Sequence, residues 1–191
     1  SWLLRADRSK DWSGVTATIL GLGRAGFAAA DALLRVGAGV TVVDQQAIDQ
    51  QPDDAKRQRA EVLDALGATV LLEQNRLPEG RADLVVPSPG LPSNHPWLTE
   101  SELATIWSGE TLAWQLRPLE NPGAWLVLTG TNGKTTTVEM LTAILQADGH
   151  HTLAVGNVGR PLVEAVFAEP SYDVLPIELS SFQLHWTSLM R

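Results

Sequence analysis

The sequence predicts an α/β protein with two consecutive domains, each built on a parallel sheet. Two observations predict this fold class. An apolar segment over residues 15–20 runs into a glycine-rich turn, and a second apolar segment over residues 124–128 runs into another. Strands and helices also alternate along most of the chain, which is the pattern of parallel sheets covered by helices.

The first strand, turn and helix form a recognisable unit. Residues 15–20 predict a strand, and the turn Gly21-Leu22-Gly23-Arg24-Ala25-Gly26 has the spacing G-x-G-x-x-G. A helix over 27–36 and a strand over 40–43 follow, and the strand ends at Asp44. This order is the dinucleotide-fold fingerprint and predicts a Rossmann-like domain whose turn binds a diphosphate, with Asp44 near a ribose or base. The alternative is that the glycines only allow the helix to pack close to the strand.

The remaining elements of the first half are short. They are predicted over residues 52–67, 69–72, 82–86, 96–103, 105–107 and 110–116. The first of these, a helix, carries Val62, Leu63 and Leu66 on its inner side, and its charged residues form a solvated face. The loop Pro87-Ser88-Pro89-Gly90 follows a strand at the carboxyl edge of the sheet, where ligands of such folds bind. A simple Pro/Gly turn is an equal alternative for this loop.

A linker divides the chain. Residues 118–123 contain two prolines and a glycine, and they interrupt the alternation of strands and helices. Such segments mark domain boundaries. We therefore assign one domain to residues 1–118 and a second to residues 119–191.

In the second domain the apolar segment over residues 124–128 is followed by Gly130-Thr131-Asn132-Gly133-Lys134-Thr135-Thr136, here called the Gly–Lys loop. Backbone N–H groups of such a turn and the following helix N-terminus face phosphates. Lys134 is placed to reach the β- and γ-phosphates, and the Thr135 hydroxyl to bind Mg²⁺. The strict pattern G-x-x-x-x-G-K-[ST] requires glycine at position 128, where this chain has Leu128. A helix-capping turn is the alternative, but it gives no reason for a lysine directly after the second glycine.

Four further elements are predicted after the loop, over residues 138–147, 152–155, 161–167 and 173–177. The first is a helix with an apolar stripe expected on its buried side, composed of Met140, Leu141, Ile144 and Leu145. The last is a strand that delivers Glu178, a candidate ligand for Mg²⁺ or an activated water. An ordinary strand-ending acid is the alternative. Pro176 lacks a backbone donor, so we expect a bulge or an unpaired N–H position there.

Composition excludes several classes of function. The formal charge of −8 argues against non-specific binding to nucleic acid or an anionic membrane surface. The chain has no cysteine, which excludes disulfides, thiolate zinc sites and a cysteine nucleophile. No segment approaches the ~20 apolar residues of a membrane span. We expect a monomeric, cytoplasmic protein.

These motifs together resemble the ATP-dependent Mur ligases of peptidoglycan synthesis. The Gly–Lys loop is similar to the ATP loop of that family, which accounts for the missing glycine at position 128. The segment Glu178-Leu179-Ser180-Ser181-Phe182-Gln183-Leu184 resembles that of the member that adds D-glutamate to UDP-N-acetylmuramoyl-L-alanine. Gly156-Asn157-Val158-Gly159, Ser88-Pro89-Gly90 and the N-terminal glycine turn fall in the same order. The resemblance covers essentially the whole chain.

The resemblance implies a set of site residues. ATP would be bound by Gly130, Thr131, Asn132, Gly133, Lys134, Thr135 and Thr136 of the loop. Thr135 and Glu178 would hold Mg²⁺, and Lys134 and Glu178 would be catalytic. The UDP-linked substrate would be bound by Gly23, Arg24, Ala25, Gly26, Asp44, Gln45, Ser88, Pro89, Asn157 and Ser180. The uracil contacts would come from Asp44 and Gln45, and Asn157 would contact the muramoyl part.

The reaction implied is ATP-dependent ligation through an acyl phosphate, with D-glutamate as the attacking amine. The family has three domains, so we expect this chain to hold the first and the start of the second, and to be inactive alone. Three alternatives stay open. They are another Mur or folylpolyglutamate-type ligase, a non-catalytic UDP-sugar or nucleotide-binding module, and an NAD-dependent oxidoreductase suggested by the glycine turn.

Overall fold

The chain folds into two units, each with its own parallel sheet. The computed structural model describes residues 2–45, 54–78, 80–100, 104–180 and 183. Unit 1 comprises Ser1–Arg5 and Ser9–Gly109, and unit 2 comprises Ala6–Arg8 and Glu110–Arg191. The units divide between Gly109 and Glu110, and the domain boundary after residue 118 stays a prediction.

The described residues of unit 1 form five parallel strands in the order β3-β2-β1-β4-β5. They are β1 (Thr16–Leu20), β2 (Gly39–Val43), β3 (Thr69–Leu71), β4 (Leu84–Pro87) and β5 (Thr105–Ile106). Its helices are α1 (Arg24–Arg35), α2 (Asp54–Ala65) and α3 (Pro96–Glu100), with a 3₁₀ turn at Trp2–Arg5. The predicted parallel-sheet α/β class is confirmed.

Tryptophans fill part of the core of unit 1. Trp12 and Trp107 are fully buried, and their rings meet edge to face with centroids 6.4 Å apart. Trp2 meets Trp12 in the same way at 5.5 Å. Large aromatic side chains bury much apolar area each, so this cluster ties the 3₁₀ turn to the region after β5. It gives a packing reason for the tryptophan-rich composition.

In the part of unit 2 that the structure describes, three parallel strands lie in the order β6-β8-β7. They are β6 (Ala124–Leu128), β7 (Val155–Gly156) and β8 (Val174–Glu178). Its helices are α4 (Gly109–Leu116), whose residues from Glu110 onward belong to the unit, α5 (Lys134–Ala147) and α6 (Leu162–Ala165). Helix α5 packs on β8.

Arg8 explains why a short N-terminal segment belongs to unit 2. Its guanidinium donates to the carbonyl oxygens of Leu116 (2.7 Å) and Val166 (2.6 Å). It also lies 4.6 Å from the centroid of the Phe167 ring. The side chain therefore satisfies carbonyls at the ends of α4 and α6, which the helices themselves leave unpaired. Burial lowers the pKa of Arg8 from its ordinary value.

The prediction of which residues of α5 are buried is partly wrong. Met140 and Ile144 are 60% and 62% exposed. The buried positions are Val138 and Thr142, and the Thr142 hydroxyl donates to the Val138 carbonyl at 2.8 Å. This bond removes the cost of burying a hydroxyl, so a threonine can occupy the row that faces the sheet.

The predicted inner side of α2 is wrong in a similar way. Val62 and Leu66 are 45% and 53% exposed, whereas Leu63 is buried as expected. The inward row runs through Lys56, Ala60 and Leu63, all below a tenth exposed. A charged residue thus lies on the buried side, which contradicts the expectation that every charge of this helix is solvated.

Pro176 lies in the central strand β8 without a bulge. β8 pairs with β6 in continuous register, Leu126 opposite Pro176. On its other side the pairing with β7 covers Ile177 and Glu178, and an isolated bridge joins Thr152 to Val174. Pro176 therefore lies where that ladder is interrupted, as its missing donor requires.

No helix within the described ranges is long and apolar enough to cross a bilayer.

Candidate functional site

The Gly–Lys loop and Glu178 lie side by side at the carboxyl edge of the second sheet. The loop follows β6, which ends at Leu128, and Glu178 is the last residue of β8. Leu128 and Glu178 are register partners in adjacent parallel strands. Because parallel strands deliver their carboxyl ends to one edge, the two motifs meet there although they are far apart in sequence.

Three predicted site residues are joined by hydrogen bonds at this edge. The Glu178 carboxylate is 2% exposed. The Thr135 hydroxyl donates to its Oε2 at 2.8 Å, and the Asn157 side-chain amide donates to its Oε1 at 3.2 Å. The Asn157 backbone N–H also donates to the Glu178 carbonyl at 2.9 Å. A buried carboxylate needs such partners, and here they come from two different loops.

The Gly–Lys loop presents backbone and a cation to solvent. Gly133 precedes α5 with φ of 77°, a left-handed conformation that favours glycine. A glycine has no side chain to cap the helix, so the first N–H groups of α5 are left for another acceptor. The Lys134 ammonium donates to the Gly130 carbonyl at 2.8 Å, back across the loop. Uncapped N–H groups next to a lysine favour an anion such as phosphate.

The oxygens gathered at the edge suit a hard divalent cation. They are a carboxylate from Glu178 and a hydroxyl from Thr135, in direct contact. Within the described ranges no group of three or more His, Cys, Asp or Glu side chains could hold a metal. Mg²⁺ fits this donor set because it is commonly bound by one or two protein oxygens together with waters and substrate phosphates.

In unit 1 the glycine turn is packed against the sheet. A Cβ on Gly26 would overlap with the carbonyl oxygen of Gly21, so glycine is required for α1 to approach the strand. This supports the packing alternative for Gly26. Gly23 and Arg24 are exposed.

Asp44 lies beside this turn with both carboxylate oxygens bonded. Oδ2 accepts from the Leu22 N–H at 2.7 Å, and Oδ1 lies 2.9 Å from the Lys56 ammonium. The Asp44 and Lys56 side chains are only 13% and 9% exposed. Ser88 reaches the turn as well, because its hydroxyl donates to the Gly21 carbonyl at 3.4 Å. The structure therefore brings Asp44 and Ser88 to the turn, and their contacts with a substrate stay a prediction.

Of the other predicted substrate-binding residues, three lie in unit 1 and one lies in unit 2. Ala25 lies in the first turn of α1, and Gln45 and Pro89 are exposed at the same edge of the sheet. Ser180 belongs to unit 2, and its N–H donates to Gln183 Oε1 at 2.8 Å. Residues 181, 182 and 184 of the predicted motif lie outside the described residues.

Sequence reasoning assigned no role to three polar residues next to these sites, although Gln183 lies within the predicted motif. Lys56 pairs with Asp44, and Gln183 bonds both Ser180 and Glu110. Glu110 and Gln183 are each 5% exposed. The i, i+4, i+7 spacing of Lys56, Ala60 and Leu63 could have indicated that Lys56 lies on the inward row of α2. Nothing local marks Glu110, because its partner is 73 residues away.

Comparison with known proteins agrees with this geometry. Residues 15–107 match the model of the Mur ligase MurD-like N-terminal domain, and residues 128–190 match that of the Mur ligase middle domain. The UDP-N-acetylmuramoylalanine–D-glutamate ligase of Streptomyces coelicolor is 47% identical over 95% of this chain. The enzymes of the same name from Thermobifida fusca and Mycobacterium leprae are 48% and 41% identical over 91% and 93% of it. The chain spans only 38%, 37% and 36% of the length of these three relatives.

The two parallel sheets, the first of them Rossmann-like, define the class as an α/β protein of two units. The matches to both domain models go further. The chain belongs to the Mur ligase family, with a MurD-like first domain.

Proposed function

We propose that the full-length protein carrying this chain is an ATP-dependent ligase of peptidoglycan synthesis. It adds D-glutamate to UDP-N-acetylmuramoyl-L-alanine through an acyl-phosphate intermediate. The observation that carries the proposal is the bonded cluster of Thr135, Glu178 and Asn157 beside the Gly–Lys loop. The names of the relatives supply the substrate pair.

Each residue of the cluster has a defined role in this proposal. When bound, ATP supplies the phosphoryl group that activates the alanine carboxylate, and Mg²⁺ supplies positive charge next to the phosphate oxygens. Lys134 and the uncapped N–H groups of α5 hold the phosphates and offset their charge. Thr135 and Glu178 hold the metal. Asn157 is fixed by Glu178 and contacts the muramoyl part of the substrate.

Unit 1 has the binding role. The turn at Gly23–Gly26 and the start of α1 receive the diphosphate of the UDP group, since a helix N-terminus favours an anion. Asp44, Gln45, Ser88 and Pro89 border the nucleoside. We assign residues 1–118 to this substrate-binding domain and residues 119–191 to the start of the ATP-binding domain. The proposed protein acts in the cytoplasm as a monomer, and light scattering of the purified full-length protein tests its oligomeric state.

The test is phosphate release by the full-length protein. The assay contains ATP, Mg²⁺ and UDP-N-acetylmuramoyl-L-alanine, with D-glutamate present or absent. We expect release that depends on D-glutamate, and a loss of about a hundredfold or more in Lys134→Ala, because charge stabilisation of this type contributes on that scale. Lys10→Ala removes an exposed lysine of unit 1 and is the matched control.

Other outcomes identify the alternatives. Release that depends on a different amino acid would indicate another ligase of the family or a folylpolyglutamate-type ligase. Tight uridine-nucleotide binding by the full-length protein without release would indicate a binding module. NAD(H) binding with hydride transfer would indicate an oxidoreductase. Each of these results overturns the proposal.

A further inference from the structure

Glu110 is a buried carboxylate outside the predicted sites. It lies in the first turn of α4 and is 5% exposed. Burying a carboxylate costs free energy unless it is hydrogen-bonded. Its Oε1 accepts from the side-chain amide of Gln183 at 2.7 Å, a bond between residues 73 positions apart. The hydrogen bond from the Gln183 amide therefore offsets the cost of burying the Glu110 carboxylate.

The bond to Glu110 fixes which way the Gln183 amide faces. A carboxylate can only accept, so the NH₂ half of the amide must face Glu110. The carbonyl half then faces the Ser180 N–H, which donates to Gln183 Oε1 at 2.8 Å. The Gln183 N–H in turn donates to the Ser180 hydroxyl at 3.3 Å. Glu110 therefore sets the orientation of the group that holds Ser180.

Ser180 ends a short segment that begins with Glu178. The segment is fixed at two points, because Leu179 N–H donates to the Leu128 carbonyl at 2.9 Å and Ser180 is held by Gln183. At its start Glu178 contacts Thr135 of the Gly–Lys loop at 2.8 Å. Two hydrogen bonds thus join Glu110 to Ser180 through Gln183, and the backbone from Ser180 through Leu179 continues to the candidate metal-binding carboxylate of Glu178.

We propose that Glu110 is a positioning residue for the candidate metal and nucleotide site. Through Gln183 it holds Ser180, and so fixes the segment that places the Glu178 carboxylate against Thr135. The role deepens the proposed function and rests on it for the identity of the bound groups. Positioning of this kind matters because a ligand site loses affinity when its supporting bonds are removed.

The experiment uses the full-length protein and two readouts that need no ligase turnover. The first is amide hydrogen exchange of the peptide that contains Ser180. The second is ATP binding as a function of Mg²⁺ concentration. We expect Glu110→Ala to raise exchange at Ser180 at least about tenfold and to raise the half-saturating Mg²⁺ concentration about tenfold, the scale of a lost bond to a charged group. Glu120→Ala removes an exposed carboxylate of unit 2 and serves as the matched control.

A charge swap separates positioning from general loss of packing. Gln183→Glu places two carboxylates against each other, and we expect it to impair both readouts as strongly as Glu110→Ala. Adding Glu110→Gln to it restores a donor at position 110, while the carboxylate at position 183 still accepts from Ser180 N–H. The double variant should therefore recover most of the exchange protection and Mg²⁺ affinity.

The outcomes decide the proposal. It is overturned if Glu110→Ala leaves both readouts unchanged, or if the folded double variant recovers neither. If Glu110→Ala does not fold, the comparison of Gln183→Glu with the double variant decides in its place. Wild-type protein that binds Mg²⁺ and ATP but shows no D-glutamate-dependent release would remove the ligase function, while the two readouts would still judge the role of Glu110.

Discussion

Two glycine turns occupy the same place in the two units, between the first strand of the unit and the helix that follows. In unit 1 a Cβ on Gly26 would overlap with the Gly21 backbone. In unit 2 a Cβ on Gly133 would meet nothing within 4 Å, but the residue has φ of 77°. One glycine is required by packing and the other by backbone conformation. A similar sequence pattern therefore arises from two different physical needs.

The charges beside the turns differ as well. In unit 1 the Leu22 N–H is already bonded to the Asp44 carboxylate, and Lys56 balances that charge. In unit 2 the Lys134 ammonium lies across the turn that Gly133 ends, and the nearby Glu178 carboxylate accepts from the Thr135 hydroxyl. The first N–H groups of α5 have no side-chain cap and lie next to Lys134, which concentrates positive potential at the second turn, whereas Asp44 already occupies an N–H group of the first. Because Lys56 balances the charge of Asp44, this carboxylate can lie next to the predicted diphosphate site without strong repulsion.

The largest effect is expected from Gly26→Ala. The new methyl group would push α1 away from the backbone of Gly21, and overpacking against backbone cannot be relieved by a side-chain rotation. We expect a loss of about 3 kcal/mol or more in the free energy of unfolding, measured by urea titration of the full-length protein. Gly14→Ala is the control, because a Cβ there would meet nothing within 4 Å. Equal losses in the two variants would refute the packing role.

The second prediction concerns the pair of Asp44 and Lys56. Lys56→Met keeps the length of the side chain on the inward row of α2 but leaves a largely buried carboxylate without its cation. We expect a loss of about 2 kcal/mol, measured in the same titration. Adding Asp44→Asn should recover part of that loss, since no buried charge then remains. If the losses of the two single variants simply add, the ion pair does not stabilise the turn.

These pairs mark the limit of what the sequence could predict. Strand-turn-helix order, the parallel sheets and the positions of both turns follow from local patterns, and the structure confirms them. The meeting of Thr135 with Glu178 could also be predicted, because both follow strands that end at one edge. The pairing of Lys56 with Asp44 and of Gln183 with Glu110 could not, since each pair is brought close by the tertiary fold.

The errors in helix burial have the same cause. Periodicity identifies a stripe on a helix, but which neighbouring row faces the sheet depends on contacts with other elements. In α5 the bond from the Thr142 hydroxyl to the Val138 carbonyl allows a threonine to lie on the inner row, and Met140 is left exposed. In α2 the Asp44 carboxylate draws Lys56 to the inner row, which a rule that charges are solvated cannot anticipate.

The third prediction tests the conformational role of Gly133. A residue with a Cβ is strained at φ of 77°, so Gly133→Ala should lose about 1 kcal/mol of stability. Asparagine adopts this conformation more readily than alanine does, so Gly133→Asn should lose less. At Gly26 we expect no such difference, because any Cβ overlaps there. Equal losses for alanine and asparagine at Gly133 would show that space, not φ, decides this position too.

The smallest effect is expected at the opposite edge of the first sheet, where Asp83 repeats the Asp44 arrangement in an exposed position. Its Oδ2 accepts from the Thr16 N–H and from the Thr16 hydroxyl, each at 2.9 Å. The bond from the Thr16 N–H, followed by the one from the hydroxyl, holds the pKa of Asp83 below its ordinary value. A depressed pKa in the folded state means that the carboxylate contributes stability above its unfolded pKa of about 4 and loses that contribution as the pH falls through the folded pKa.

Asp83→Asn should therefore cost well under 1 kcal/mol at pH 7, since solvent screens an exposed charge. The difference from wild type should shrink as the pH is lowered below about 4, measured by urea titration across that range. Glu61→Gln removes an exposed carboxylate of α2 and controls for the change in net charge. If the difference in the free energy of unfolding between Asp83→Asn and wild type grew as the pH fell, the pKa of Asp83 would be raised in the folded state and this prediction would be wrong. If Asp83→Asn lowered the free energy of unfolding at pH 7 as much as Lys56→Met does, the difference in burial between Asp83 and Asp44 would not determine how much each carboxylate contributes to stability.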